Sequence, residues 1–318
     1  MKTDLQIGNL TAAPGQKITG ECSFPVNGQP FNLPVYLING DKEGPTFVIT
    51  AGVHAAEYAS IAAALEIGQK YSPESIAGQL IVAPLINQAG FPMRSIYVNP
   101  LDGVNLNRVF PGSPNGSPSE QITAWVFEHI IRQADFYFDL HGGDLIEALV
   151  PFGIFAETGH ADLDQKTQEL AEVTGIEYLV SRQAISGSTF AAAAGAGIPA
   201  VLLEAGGQGI WPRSEVQRLI TAVERAMARY GMLPPQPAAA ARPILLKEFL
   251  WLYSEINGFW YPQTAVGEQV KAGQLLGTIT DIWGKLLQEA HAPADGVVLF
   301  LVSSLSTNQG DPLLAVGA

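Results

Sequence analysis

Residues 46–70 read TFVITAGVHAAEYASIAAALEIGQK. The apolar run Thr46–Ala51 predicts a buried strand, and Glu57–Lys70 predicts a helix. The turn between them is Gly52-Val53-His54-Ala55-Ala56-Glu57. A turn that leaves a strand and opens a helix lies where open α/β sheets bind ligands.

The same grammar recurs on either side. Residues 18–38 read as β structure, with Asn27-Gly28 as the hairpin turn. Strands are expected at Gln79–Leu85, Phe136–Leu140, Val150–Phe155 and Ala200–Leu203, and a helix at Leu163–Val173. Ser117, Pro118 and Glu120 form a capping-box signature, and Ser214–Gln217 forms a second, opening a helix that ends near Gly231. The run Phe190–Leu203 is too short and too rich in Gly and Pro to span a membrane; it reads as a small helix, a turn and a buried strand. Apolar strands alternating with helices predict an α/β fold: a mixed sheet with helices on both faces.

The grammar breaks at residues 232–243, MLPPQPAAAARP, which read as a linker. From Ile244 to Ala318, short apolar runs separated by glycines predict a small all-β, barrel-like domain. The expected division is therefore residues 1–231, a catalytic α/β domain with an N-terminal β segment; 232–243, a linker; and 244–318, a β domain.

Composition limits the function. The 318 residues include 30 Asp and Glu against 17 Lys and Arg, a formal charge of −13. Nucleic acid and anionic membrane surfaces demand clustered cations, so neither is an expected partner. A small anionic ligand would need a local Arg or Lys. Cys22 is the only cysteine, which excludes an internal disulfide and a Cys-rich metal site. The first ten residues lack the basic and apolar regions of a signal peptide, so a cytoplasmic location is expected.

Four segments carry chemistry. His54 and Glu57 sit three apart in the first turn. Phe136-Tyr-Phe-Asp-Leu-His141 ends a strand in a histidine and is followed by Gly142-Gly143. Alone, His54 and Glu57 read as a chance or surface pair, and His141 as a hydrogen-bonded core histidine. Together, His54, Glu57 and His141 form a His, Glu, His set with an open fourth position. Catalytic zinc uses that pattern to bring the pKa of water to about 7. Asp139 is either a partner of a ligand histidine or a cap at the strand end. Asn107 and Arg108 are either a solvated pair or a clamp for a carboxylate. Arg94 could polarise a carbonyl oxygen or bind a second anion. Glu204, after Val201-Leu202-Leu203, is either a buried structural acid or a catalytic base.

The segments GVHAAEYAS, NLNRVFPG, FDLHGG and PAVLLEAGG, taken in order, resemble the hallmarks of the succinylglutamate desuccinylase/aspartoacylase family, part of the zinc carboxypeptidase superfamily. The resemblance covers about residues 30–230. It implies one zinc per chain, held by His54, Glu57 and His141. It places the substrate carboxylate at Asn107 and Arg108, the carbonyl-polarising arginine at Arg94 and the general base at Glu204. The spacing from Arg94 to the Asn-Arg pair is longer than in aspartoacylase. The C-terminal part resembles a lipoyl/biotinyl-type barrel, but residues 280–288 lack the carrier context, so Lys285 reads as an ordinary lysine. The expected role of this domain is structural, shielding the site or an oligomer interface.

The expected function is a zinc-dependent deacylase acting on a small N-acyl amino acid or related amine. The alternatives are a carboxypeptidase-type peptidase and a non-catalytic carrier that uses the β domain. Asp144 and Glu147 read either as surface acids or as groups facing a cationic substrate.

Overall fold

A computed structural model describes residues 3–183, 186–239 and 241–318. A nine-stranded mixed sheet forms its centre. Its spatial order is Ile244–Leu246, Tyr178–Gln183, Phe152–Glu157, Ala200–Glu204, Phe136–His141, Lys42–Ala51, Ala77–Ala83, Gln29–Asn39 and Gln16–Val26. The four strands from Ala200–Glu204 to Ala77–Ala83 run parallel to one another. Their neighbours on either side, Phe152–Glu157 and Gln29–Asn39, run antiparallel to them.

Alternation along the central strand decides what each face holds. Phe138 and Leu140 join a core with the helices Tyr58–Lys70, Ala161–Val173 and Arg213–Arg229. Tyr137 faces the opposite way, into a core shared with the helices Pro118–His129 and Thr189–Gly195. A period of two puts Asp139 and His141 on the Tyr137 face. The helices cover both sides of the sheet, as the apolar strands require.

Several local readings hold. Asn27 and Gly28 turn the hairpin with φ of 49° and 73°, both in the left-handed region that a tight two-residue turn needs. Ser117 caps its helix by accepting from Glu120 N, and Glu120 returns the bond to Ser117 N. Cys22 is buried, donates to Ile7 O at 3.3 Å, and burial pushes its thiol up to about 11, so it behaves as a small core residue.

The second capping box needs correction. The helix begins at Arg213 with Pro212 as its N-cap, and no side chain caps it. Glu215 N and Val216 N both bond to Pro212 O, so Ser214 already lies inside the first turn. Gln217 instead accepts from Arg213 Nη2.

The C-terminal part is all β, in a five-stranded and a four-stranded sheet. Its separation from the rest is crossed twice. Ile244–Leu246 is the edge strand of the large sheet, parallel to Tyr178–Gln183. Glu147–Leu149 leaves the α/β part to pair with Gly296–Val302 of the five-stranded sheet. The segment 232–243 is not uniformly loose, since Met232 and Leu233 are buried in the core. Ala240 lies outside the described residues. No helix among the described residues is long and apolar enough to cross a membrane.

Candidate metal centre and active site

Three neighbouring parallel strands bring the site together at their carboxyl ends. Ala51 pairs with Leu140, and His141 pairs with Glu204. Paired residues in register share a face, so His141 and Glu204 point to the same side of the sheet. Beyond Ala51 the chain turns at Gly52, whose φ is 63°. A Cβ there would lie 2.7 Å from Leu85 Cδ1, so only glycine fits the turn that presents His54 and Glu57. Glu57 is the N-cap of the helix Tyr58–Lys70.

One metal-ligating atom from each of His54, Glu57 and His141 lies within 4.8 Å of the others. His54 Nδ1 is 2.6 Å from Glu57 Oε1, and His141 Nδ1 is 2.8 Å from Glu57 Oε2. The outer nitrogens are also engaged. His141 Nε2 donates to Asp139 Oδ2 at 2.8 Å. His54 Nε2 donates to Asn105 Oδ1 at 3.1 Å; that oxygen also accepts from Asn107 N, which identifies it as the acceptor.

These outer bonds fix the tautomers. With the proton on Nε2, each neutral ring turns the Nδ1 lone pair toward the Glu57 carboxylate. A lone pair facing a carboxylate needs a metal ion or a proton between them. Without a metal, a proton fills that place. Burial pulls His54 and His141 down, but Glu57 outweighs it and raises both, His141 well above its ordinary value. Burial pushes Glu57 up, but His141 and His54 bring it to about 2. The donor set, two imidazoles and a carboxylate, is one that zinc accepts.

Asp139 is fully buried and accepts from Thr50 Oγ1 at 2.6 Å, from Thr189 Oγ1 and from His141. It acts through His141, whose ring it orients. Gly142 N donates to Glu57 Oε2 at 3.2 Å, tying the two loops together.

A cavity of about 140 Å³ opens beside this group. Glu204, Asn107 and Arg108 all line it. Glu204 Oε2 is buried and accepts no hydrogen bond among the described residues. Burial first, and then the charge of Glu57, raises the Glu204 carboxyl well above the ordinary carboxylate range. Asn107 is buried and its Oδ1 accepts from Thr189 N, while Arg108 is exposed at the rim and donates to Asn107 O at 2.8 Å.

Arg94 stands elsewhere. It caps the short helix Gly90–Met93 in the left-handed region and lines a different hollow with Tyr58 and Trp211. The structure therefore brings six of the seven expected site residues to one cavity and leaves Arg94 outside its lining.

Other residues at the cavity carried no sequence signal of their own. Tyr97 and Asn105 come from the loop before Arg108. Phe249, Trp251 and Phe300 come from the C-terminal sheets. Asn105 stood inside the NLNR segment, and its alternation with Asn107 was the one available hint.

The family model of the succinylglutamate desuccinylase/aspartoacylase catalytic domain matches residues 43–230. The chain belongs to this family. A relative, the N-alpha-acetyl-L-2,4-diaminobutyric acid deacetylase of Halomonas elongata, is 26% identical over 292 residues, 89% of this chain and 85% of its own. The succinylglutamate desuccinylase/aspartoacylase of Rhodobacter sphaeroides superposes with a TM-score of 0.86 at 24% identity, over 95% of each chain. A product-bound ectoine utilization protein from Ruegeria pomeroyi superposes with a TM-score of 0.89 at 22% identity, over the whole of both chains. These two superpositions show the shared fold. Family membership places the chain among amide hydrolases of the deacylase kind.

Proposed function

We propose that this chain is a zinc-dependent deacylase that hydrolyses the N-acyl amide of a small N-acyl amino acid. One observation carries the reading: the His54, Glu57 and His141 ligand atoms converge beside Glu204, in a cavity lined by Asn107 with Arg108 at its rim. When bound by that trio, zinc supplies Lewis acidity for hydrolysis.

The remaining work falls to side chains. Arg108 and Asn107 hold the substrate carboxylate at the rim, where a guanidinium fork and an amide match its two oxygens. Glu204 takes a proton from the attacking water as the water oxygen bonds to the acyl carbon. The carbon–nitrogen bond then breaks, and Glu204 returns that proton to the departing amine. Asp139 keeps the His141 ring in its tautomer throughout. Arg94 receives no step here, because it lines a separate hollow.

The Halomonas relative is named for the deacetylation of an N-acetyl diamino acid, a substrate of this class. A carboxypeptidase-type reading is less well supported, since Phe249, Trp251 and Phe300 of the C-terminal part wall the cavity and leave little room for a long peptide.

The test is hydrolysis of a panel of N-acyl amino acids and of unblocked decapeptides by zinc-loaded protein, with metal analysis. Small N-acyl amino acids should be cleaved and the peptides refused. His141→Ala should lose metal and turnover together. Full metal occupancy in that variant would overturn the ligand assignment, and efficient peptide cleavage would overturn the deacylase reading.

A further inference from the structure

The cavity beside the metal trio has an apolar part. Phe152, Ile154, Phe190 and Leu202 form its floor. Ile154 pairs with Leu202, and Phe152 pairs with Glu204. Residues in register share a face, so the floor lies on the same side of the sheet as Glu204. Phe190 reaches it from the helix Thr189–Gly195. The wall is aromatic and comes from the C-terminal sheets. Ring centroids of Phe249 and Trp251 are 5.0 Å apart, as are those of Trp251 and Phe300. Phe249 meets the floor at Phe152, with centroids 5.5 Å apart. The cavity volume, about 140 Å³, is on the order of what a benzene-sized group fills.

The carboxylate clamp adjoins this floor. Asn107 Oδ1 accepts from Thr189 N at 2.9 Å, and Phe190 is the next residue. Gly187 packs so closely on the clamp that a Cβ there would lie 2.1 Å from Arg108 O. The start of the helix and the clamp loop are thus one unit. In an α-amino acid the carboxylate and the side chain leave the same carbon. With the carboxylate at Asn107 and Arg108, the side chain meets Phe190, Leu202 and Ile154. The acyl group lies across the scissile bond, toward the metal trio.

Charge excludes an acidic side chain. Arg108 is the only Lys or Arg in the lining, and the substrate carboxylate takes it. Asp144 and Glu147 are buried, not surface acids, and Glu147 lines the cavity. Glu147 Oε1 accepts from the Tyr97 hydroxyl, and Oε2 accepts from Asp144 N at 2.7 Å. Tyr97 N donates to Asp144 Oδ2 at 3.2 Å. Both Glu147 oxygens therefore have protein partners already. A polar side chain against the apolar floor would lose water without gaining a partner.

We propose that this floor and wall form a side-chain pocket, and that the preferred substrates are N-acyl derivatives of apolar α-amino acids with branched or aromatic side chains. The proposal rests on the deacylase reading above and narrows it. It departs from the diamino acid in the name of the Halomonas relative, so that compound belongs in the test.

The test measures kcat/KM of the zinc-loaded wild-type protein on N-acetylleucine, N-acetylalanine, N-acetylaspartate and N-alpha-acetyl-2,4-diaminobutyrate. The leucine compound should exceed the alanine compound by about 10- to 100-fold. It should exceed the aspartate compound, which has a similar shape and a charge, by about 100-fold or more. Ile154→Phe, which fills the floor, should bring the leucine-to-alanine ratio close to one. That ratio is read within one preparation, so loss of folded protein does not imitate it. Calorimetric binding of leucine and of alanine to the wild-type protein repeats the comparison without turnover. Equal hydrolysis of the four compounds, or a preference for the aspartate or diaminobutyrate compound over leucine, overturns the pocket and leaves the deacylase reading standing. Tighter binding of leucine than of alanine, with no acetyl compound hydrolysed, supports the pocket and overturns the deacylase reading.

Discussion

His141 Nε2 lies 2.8 Å from Asp139 Oδ2, while the same ring turns Nδ1 toward Glu57 Oε2. One buried carboxylate thus decides which nitrogen of the ring is left to bind a cation. Asp139 is itself held by Thr50 and Thr189, so the orientation is transmitted from two further elements. Asp139→Asn should weaken zinc affinity by about 10- to 100-fold. Competition with a chromophoric chelator measures it, and unchanged affinity would reduce Asp139 to a core polar residue.

Glu204→Gln should keep the fold and the metal and lower kcat by about 10²- to 10⁴-fold. The amide has the volume of the acid but cannot carry the transferred proton. Metal analysis alongside kcat separates loss of chemistry from loss of the ion. A near-normal kcat would make Glu204 structural.

Arg108→Lys should raise KM by about tenfold and lower kcat less. Lysine keeps the charge but not the planar fork that meets both carboxylate oxygens. Steady-state kinetics on an N-acyl amino acid decides it, and an unchanged KM would remove Arg108 from substrate binding.

Asp144 and Glu147 make the metal-free and ligand-free protein sensitive to pH. Their ordinary values are 3.8 and 4.5, and in the fold they rise to about 8 and about 7. A raised carboxyl binds its proton more tightly in the folded state. Its contribution to stability is complete below the ordinary value and is lost as pH climbs through the folded one. Chelator-treated protein should therefore be less stable toward denaturant at pH 8 than at pH 5. Asp144→Asn should narrow that gap by on the order of a few kcal/mol. An equal gap in both proteins would show that Asp144 does not titrate in this window.

Much of this was legible in the residues. The strand–turn–helix at 46–70 is written in local pattern, as are the Asn27-Gly28 hairpin and the Ser117 cap. Each depends on neighbours within a few positions. The metal trio was legible because its members sit at strand ends and helix starts, where chemistry-bearing residues are exposed to a common space. Arg94 shows the limit. The resemblance placed Arg94 at the substrate carbonyl, but Arg94 ends the Gly90–Met93 helix in the left-handed region and lines another hollow. Tyr97 and Trp251 were silent for a related reason. Tyr97 is held by bonds to Glu147 and Asp144 some fifty positions away, and Trp251 by pairing with Ala315, long-range contacts with no local signature.

That pairing also has a consequence in time. The strand that carries Glu147 is hydrogen-bonded to Gly296–Val302, which in turn pairs with Pro312–Gly317. During synthesis His54, Glu57, His141 and Glu204 leave the ribosome before Gly296–Val302 and Pro312–Gly317 do. The rim that holds Glu147 cannot be completed until they do. The newborn chain would then hold its catalytic groups first and gain the far wall of their cavity last.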